Sequence, residues 1–297
     1  MVALALVVSL PAGVRGWGFD AHKHVAGQMI ALLPAEIRPL FEARRAFIVE
    51  RTIDPDLWRN VGWDDEPPNH FLDLDAEQYG AYPFDALPRE YDRAVEKFGK
   101  DVVHREGTLP WRVAEFYGKL ERAFASLKGP SPSPYALDDI VLFSAVLAHY
   151  VSDGHVPLHA VKNYDGQLSG QPGAHGRFES DLFERYATRL SVRPTPKPPV
   201  TDPRTAMFQI LLDSQRLADP ILAADRASAQ GRAYYDDAFF ETFSRQALPV
   251  LDQRVAESIA STAAFITGAW ERAGKPAVPV TVTRSPRRVP TPALPAK

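Results

Sequence analysis

The segment His149-Tyr-Val-Ser-Asp153-Gly-His-Val-Pro157-Leu-His159 constrains the fold more than any other part of the chain. It closes a stretch, 137–153, whose apolar residues recur at spacings of three and four, the pattern of a helix with a core-facing side. His149 and Asp153 stand four apart, so both project from one face near the helix end. Pro157 predicts a stop that turns His159 back toward the same region. Imidazole and carboxylate groups brought together this way suit zinc. A lone pair of them on a helix equally suits a hydrogen bond to a neighbour. A second pair, His175-Gly-Arg-Phe-Glu179, repeats the four-residue spacing after the Gly-rich run Gly166-Gln-Leu-Ser-Gly170-Gln-Pro-Gly173. Taken alone, its Glu does no more than favour the positive end of a helix dipole. Upstream stand Asp56, in Asp54-Pro-Asp56-Leu-Trp-Arg59, and His70, in Asn69-His70-Phe-Leu-Asp73. Each is weak singly, because Asp-Pro-Asp usually marks a turn. His22 follows Trp17 by five residues.

The rest of the chain can build such a site. It has 297 residues, enough for one large domain or two small ones with a substantial core. It has no Cys, which removes disulfide scaffolds, thiol catalysis and Cys-based zinc sites. Helical spacing recurs over 22–33, 36–50, 88–101, 110–127, 137–153, 175–190, 205–226 and 236–273, while strand signals are sparse, so the expected class is all-α. Gly129 to Pro134 reads as a loop, with Asp138 or Asp139 placed to cap the helix after it. Residues 191–204 hold five Pro and read as an extended surface connection. No apolar run reaches the length of about 18 residues needed to span a bilayer. Residues 2–10 are a short apolar run, followed by Pro11, Ala12, Gly13 and Val14-Arg15-Gly16. This predicts a secretory signal over 1–16, although no Lys or Arg precedes the apolar run. Residues 275–297 hold six Pro and read as a disordered basic tail. The expected division is therefore signal 1–16, a single domain over 17–274 and tail 275–297, with a secreted or periplasmic location. Six of the 34 basic residues and none of the 37 acidic ones lie in the two flanking segments, so the body is more acidic than the net charge of −3 suggests. Such a body does not look like a duplex-DNA binder and could be offset by bound cations.

Together these segments resemble the superfamily of zinc-dependent phospholipases C and S-one/P-one single-strand nucleases. Trp17-Gly-Phe-Asp-Ala-His22 is similar to the mature N-terminus of the nucleases. Pro-Asp56-Leu-Trp-Arg followed by His70-Phe-Leu-Asp resembles the next two ligand segments. His149-x-x-x-Asp153-x-x-x-Pro-Leu-His159 matches the central signature, and His175-x-x-x-Glu179 matches the last pair, with Glu as in the phospholipases. The likeness spans about residues 17–186 in order along the chain. It implies an all-α domain with three zinc ions in a cleft. One zinc would take Asp56, His70 and His149. A second would take His22 with the α-amino group and carbonyl of Trp17, Asp153 bridging the two. A third would take His159, His175 and Glu179.

What the likeness implies chemically is hydrolysis of a phosphodiester, with Asp56 and Asp153 as the central carboxylates. The opening motif is nuclease-like, whereas Glu179 and the 14-residue step from Asp56 to His70 are closer to the phospholipases. The expected enzyme is a nuclease acting on single-stranded nucleic acid or nucleotides. The alternatives are a phospholipase C acting on phospholipid head groups and a secreted zinc-binding protein without catalysis. A monomer is expected. Asn163, Tyr164 and Asp165 lie between the two downstream pairs and are candidates to touch substrate, as are the aromatic residues Tyr79, Tyr82, Phe84 and Trp111. His24 and His155 neighbour ligands but face elsewhere, and His104 reads as surface.

Overall fold

The computed structural model describes residues 18–128 and 133–281. The expected signal, Trp17 and the tail beyond 281 lie outside those residues. Regular structure among the described residues is helical throughout. In chain order the helices are α1 (Phe19–Met29), α2 (Arg38–Ala43), α3 (Arg45–Arg51), α4 (Asp54–Trp58), α5 (Tyr91–Phe98), α6 (Lys100–Arg105) and α7 (Leu109–Ala125). They continue with α8 (Ala136–Asp153), α9 (Ala174–Gly176), α10 (Leu182–Tyr186), α11 (Pro203–Ala229) and α12 (Asp237–Arg272).

Local chemistry sets many of the boundaries. Asp202 accepts from the Thr205 amide at 3.1 Å and Pro203 opens α11, so the first turn is capped and its φ preset. Asp236 caps α12 in the same way through Phe239 N at 2.8 Å. The 88–101 pattern divides into α5 and α6 because Gly99 takes φ of 85°, which ends one helix before the next begins. The 36–50 pattern divides at Arg44, where ψ is 13°. Asp138 and Asp139 lie inside the first turn of α8, which starts at Ala136, so neither is the cap. That helix ends at Asp153 with Gly154 following, and Pro157 opens a separate 3₁₀ turn, Pro157–Ala160, rather than ending the helix.

The core is built around α8 and the second half of α12. Helix α8 packs against α1, α3, α7 and α12. Every residue of α12 from Ser258 to Trp270 is buried, so this segment is surrounded rather than lying on a surface. Residues 190–202 run without regular structure to α11, as their prolines suggest. The Pro-rich end begins packed rather than loose: Trp270 Nε1 donates to Pro276 O at 2.9 Å, Pro276 is buried, and Val278 meets the core. No described helix is long and apolar enough to cross a membrane.

Close packing makes one glycine a sharp test. A side chain at Gly268 would overlap the Val200 carbonyl oxygen and sit 2.9 Å from the Tyr117 hydroxyl. At Gly118 in α7 the nearest atom is the flexible end of Arg122, 3.4 Å away. Gly268→Ala is expected to destabilise by about 1–3 kcal/mol, and Gly118→Ala to stabilise by about 0.5–1 kcal/mol. Urea denaturation of the two variants reads both, and equal midpoints would contradict this packing.

Candidate metal centre

Eight of the nine expected ligand residues lie in the described structure, and all eight converge. Helix α1 supplies His22, α4 supplies Asp56, a 3₁₀ turn Pro67–His70 supplies His70, and the end of α8 supplies His149 and Asp153. The turn Pro157–Ala160 supplies His159 and α9 supplies His175. Glu179 follows in a π-turn, Arg177–Asp181, an insertion that shifts helix phase and is frequent at functional sites. Backbone bonds lace the pieces together. Leu72 N donates to His159 O at 2.9 Å, and Thr108 N donates to Pro68 O at 2.7 Å. Gly107, at φ 100°, lies so close to the Phe71 carbonyl that a side chain would overlap it. Asp165 accepts from Gly173 N at 2.9 Å and from His175 N at 3.2 Å, pinning the start of α9.

Asp153 is the hub. Its Oδ2 lies 3.0 Å from His70 Nδ1 and 3.2 Å from His149 Nε2. Those two nitrogens are 3.0 Å apart, and Asp56 Oδ1 lies 3.7 Å from the first and 3.8 Å from the second. The other oxygen, Oδ1, faces His22 Nε2 at 3.3 Å and His159 Nδ1 at 3.8 Å. Next to it, His159 Nε2 is 3.1 Å from His175 Nε2 and 3.8 Å from Glu179 Oε2, and the last two are 2.8 Å from each other. His159 Nδ1 donates to His70 O at 2.6 Å, which leaves Nε2 as the lone-pair nitrogen.

These separations fit a cation. Bonds of about 2.0–2.1 Å in a tetrahedron put neighbouring ligand atoms about 3.3 Å apart, and the donor atoms here stand 2.8–3.8 Å apart. His22 Nε2, Asp56 Oδ2, Asp153 Oδ1 and Glu179 Oε1 are buried with no hydrogen-bond partner, a cost that a bound cation would relieve. Three groups among the described residues could hold a metal ion: His22 with Asp56 and His149; His70 with His149 and Asp153; and His159 with His175 and Glu179.

The charges divide in an instructive way. Burial alone would lower His149, but Asp153, Asp56 and Glu66 outweigh it and raise it to about 9. Burial would raise Asp153, yet the imidazoles of His149 and His159 hold it well below the usual carboxylate range. Burial lowers His159 to about 3 and raises Glu179 to about 7. The carboxylates that meet at His149 therefore favour a proton there, and against its burial His175 is raised in the same direction by Glu179.

The other expected site residues fare differently. Asn163 spends its side chain within the loop, donating to Ser169 Oγ at 2.9 Å and accepting from Leu168 N at 2.8 Å. With Asp165 it shapes the backbone that carries His175. Tyr164 stands edge-on to the His175 ring at 6.1 Å. Tyr79 and Phe84 are buried in the core, and Trp111 donates its Nε1 to Arg89 O at 2.8 Å, while Tyr82 is exposed. His155 is buried with Nδ1 on Val151 O and Nε2 against Ser261 Oγ, away from the donor cluster. His24 packs edge-on against Phe183. Asp54-Pro-Asp56 forms the first turn of α4 rather than an isolated turn. Glu66 was not foreseen: it is 4 % exposed and lines a small cleft with Asp56, Arg59, Pro67 and His70. Its signal was the four-residue spacing to His70. No protein-family model and no curated protein matches this chain.

Metal uptake must displace the proton held on His149, because only the neutral imidazole binds. Affinity is expected to rise with pH up to about 9 and to fall as the pH drops. Calorimetric titration of the metal-free protein with zinc at about pH 7.5, in buffers of different ionisation enthalpy, should show net proton release. Uptake without proton release would contradict this charge state.

Proposed function

We propose that the protein is an exported zinc-dependent phosphodiester hydrolase, acting on single-stranded nucleic acid or nucleotides. The observation that carries this reading is the two-sided Asp153: one oxygen meets His70 and His149, the other His22, inside a wholly buried carboxylate. A carboxylate shared between two cations fits that arrangement, and the His159, His175 and Glu179 group beside it fits a third. Asp56, His70, His149 and Asp153 would hold one zinc. His22 and Asp153 would share the second with the Trp17 amine and carbonyl. Gly18 abuts Ser180, the neighbour of Glu179, which supports a role for the N-terminus here.

Bound zinc lowers the pKa of water to about 7 and stabilises charge on attacking and leaving oxygens. The chain's own groups do the positioning. Asp56 lines the cleft with Oδ1 facing His70 and His149 and Oδ2 unpartnered, so Oδ1 would face the zinc while Oδ2 would orient the water and accept its proton. Arg59 lines the same cleft and adds positive charge for the phosphate. Water adds to phosphorus, the ester P–O bond breaks, and the leaving oxygen takes the proton. Beyond α4, Trp63 packs on Trp58 at 4.7 Å and is 53 % exposed, a surface on which a base can stack. Leu57 and Val61 are exposed on the same stretch and suit a lipid surface, which favours the phospholipase C alternative.

Mature protein beginning at Trp17 is tested against single-stranded DNA, RNA, 3′-nucleotides and phosphatidylcholine, with bis(p-nitrophenyl) phosphate as the general reporter. Nucleic acid or nucleotide hydrolysis that a chelator abolishes is expected. Phosphatidylcholine as the sole substrate would select the phospholipase, and zinc binding with no hydrolysis of any substrate would select the non-catalytic reading. Asp153→Asn should lower turnover at least about 100-fold, since the amide loses the charge and one strong ligand oxygen.

A free α-amino group can give up its proton to a metal near neutral pH, having a pKa of about 8, whereas an internal peptide nitrogen has no basic lone pair. Protein with a residue retained before Trp17 should lose one zinc and most activity, and Trp17→Phe with a free amine should lose much less. Zinc content and turnover compared after mass spectrometry of each N-terminus decide this; equality with and without the extension would remove the chelate.

A further inference from the structure

Glu66 is a buried carboxylate beside the centre, and none of the ligand assignments uses it. Its Oε2 accepts from Arg112 Nη2 at 2.9 Å and from Asn69 Nδ2 at 3.2 Å. Its Oε1 accepts from the Tyr150 hydroxyl, which in turn accepts from Arg112 Nε at 3.1 Å. Arg112 also donates to Glu115 at 2.9 Å, and Asn69 accepts from Thr108 Oγ1 at 2.8 Å. Glu66 is therefore held from three sides by side chains that are themselves held.

The fourth side faces His70. That ring turns Nδ1 toward Asp153, His149 and Asp56, and Nε2 toward Glu66 Oε1 at 3.7 Å. For Nδ1 to offer a lone pair, the ring proton must sit on Nε2 and needs an acceptor there. Imidazole ligands commonly find that acceptor in a carboxylate, which fixes the tautomer and ring orientation and raises basicity. At 3.7 Å the contact is longer than a hydrogen bond, so the role requires the His70 ring to move toward Glu66 when Nδ1 takes a metal.

We propose that Glu66 is a positioning residue that fixes the tautomer and orientation of His70, with Tyr150 and Arg112 locking the carboxylate in place. This rests on the metal reading above. It makes a partly buried ion pair between α7 and the 66–70 turn serve the centre rather than only the fold. The centre then depends on residues that never touch the metal, and the dependence falls on the site that His70 and His149 share.

The test is competition between a chelator and metal-free protein for zinc, with cobalt substitution as a spectroscopic reporter, on wild type, Glu66→Gln and Tyr150→Phe. Glu66→Gln is expected to weaken one site by about 10- to 100-fold and to alter its cobalt absorption. The His159, His175 and Glu179 site should keep wild-type affinity, even though losing the charge beside Arg112 lowers the unfolding midpoint of the metal-free protein. Tyr150→Phe, which retains the carboxylate, should weaken the same site by less and covers the case in which Glu66→Gln does not fold. In ¹⁵N spectra of wild type, His70 should carry its proton on Nε2. Unchanged affinity in both variants would overturn the proposal. So would an equal loss at every site, because that is the mark of a general structural pair. A wild-type protein that takes up no metal would instead overturn the metal reading itself.

Discussion

A wholly buried carboxylate, Asp153, is the point on which the arrangement depends. An isolated buried charge is costly enough that it must be paired or neutralised. Asp153 is met by His70 and His149 on one oxygen and by His22 on the other, with His159 close by. These come from α1, the 67–70 turn, α8 and the 157–160 turn, so satisfying one side chain requires four separated pieces of chain to meet. The fold supplies that meeting point by packing α1, α3, α7 and α12 around α8, whose last turn carries the carboxylate.

The same logic runs outward. The short segments that bring His70 and His159 cannot hold position as isolated turns. They are tied by Leu72 N to His159 O, by His159 Nδ1 to His70 O, and by the close approach of Gly107 to Phe71. On the far side, Arg177 is buried and paired with Asp225 on α11 at 2.7 Å, while its other nitrogens donate to Pro172 O and Gln171 O. This ties the Gly-rich loop to a long helix just before the His175–Glu179 pair. The site is thus held by backbone and ion-pair contacts in regions with little regular structure.

Much of this was legible because the informative residues obey short spacings. His149 with Asp153 and His175 with Glu179 each stand four apart, and the long helices announce themselves through apolar periodicity. The failures have physical causes. Helix α4 is five residues long and opens with Asp-Pro-Asp, so its signal is that of a turn. The 36–50 and 88–101 patterns keep their apolar spacing across a break, which conceals the division at Arg44 and at Gly99. Asn163 and Asp165 looked chemically available, but their side chains answer backbone amides, a choice that depends on the loop path. The partners of Glu66 were invisible for a stronger reason: Arg112 and Tyr150 lie 46 and 84 residues away, so only the folded chain brings them together.

The central claim is that these side chains form one metal centre organised by Asp153. Anomalous diffraction at the zinc edge, from crystals of the mature protein grown with zinc, tests it directly. The expected result is a peak among Asp56, His70, His149 and Asp153, a second between Asp153 and His22, and a third among His159, His175 and Glu179. A map with no peak at Asp153, or with zinc bound only at surface carboxylates, would contradict it.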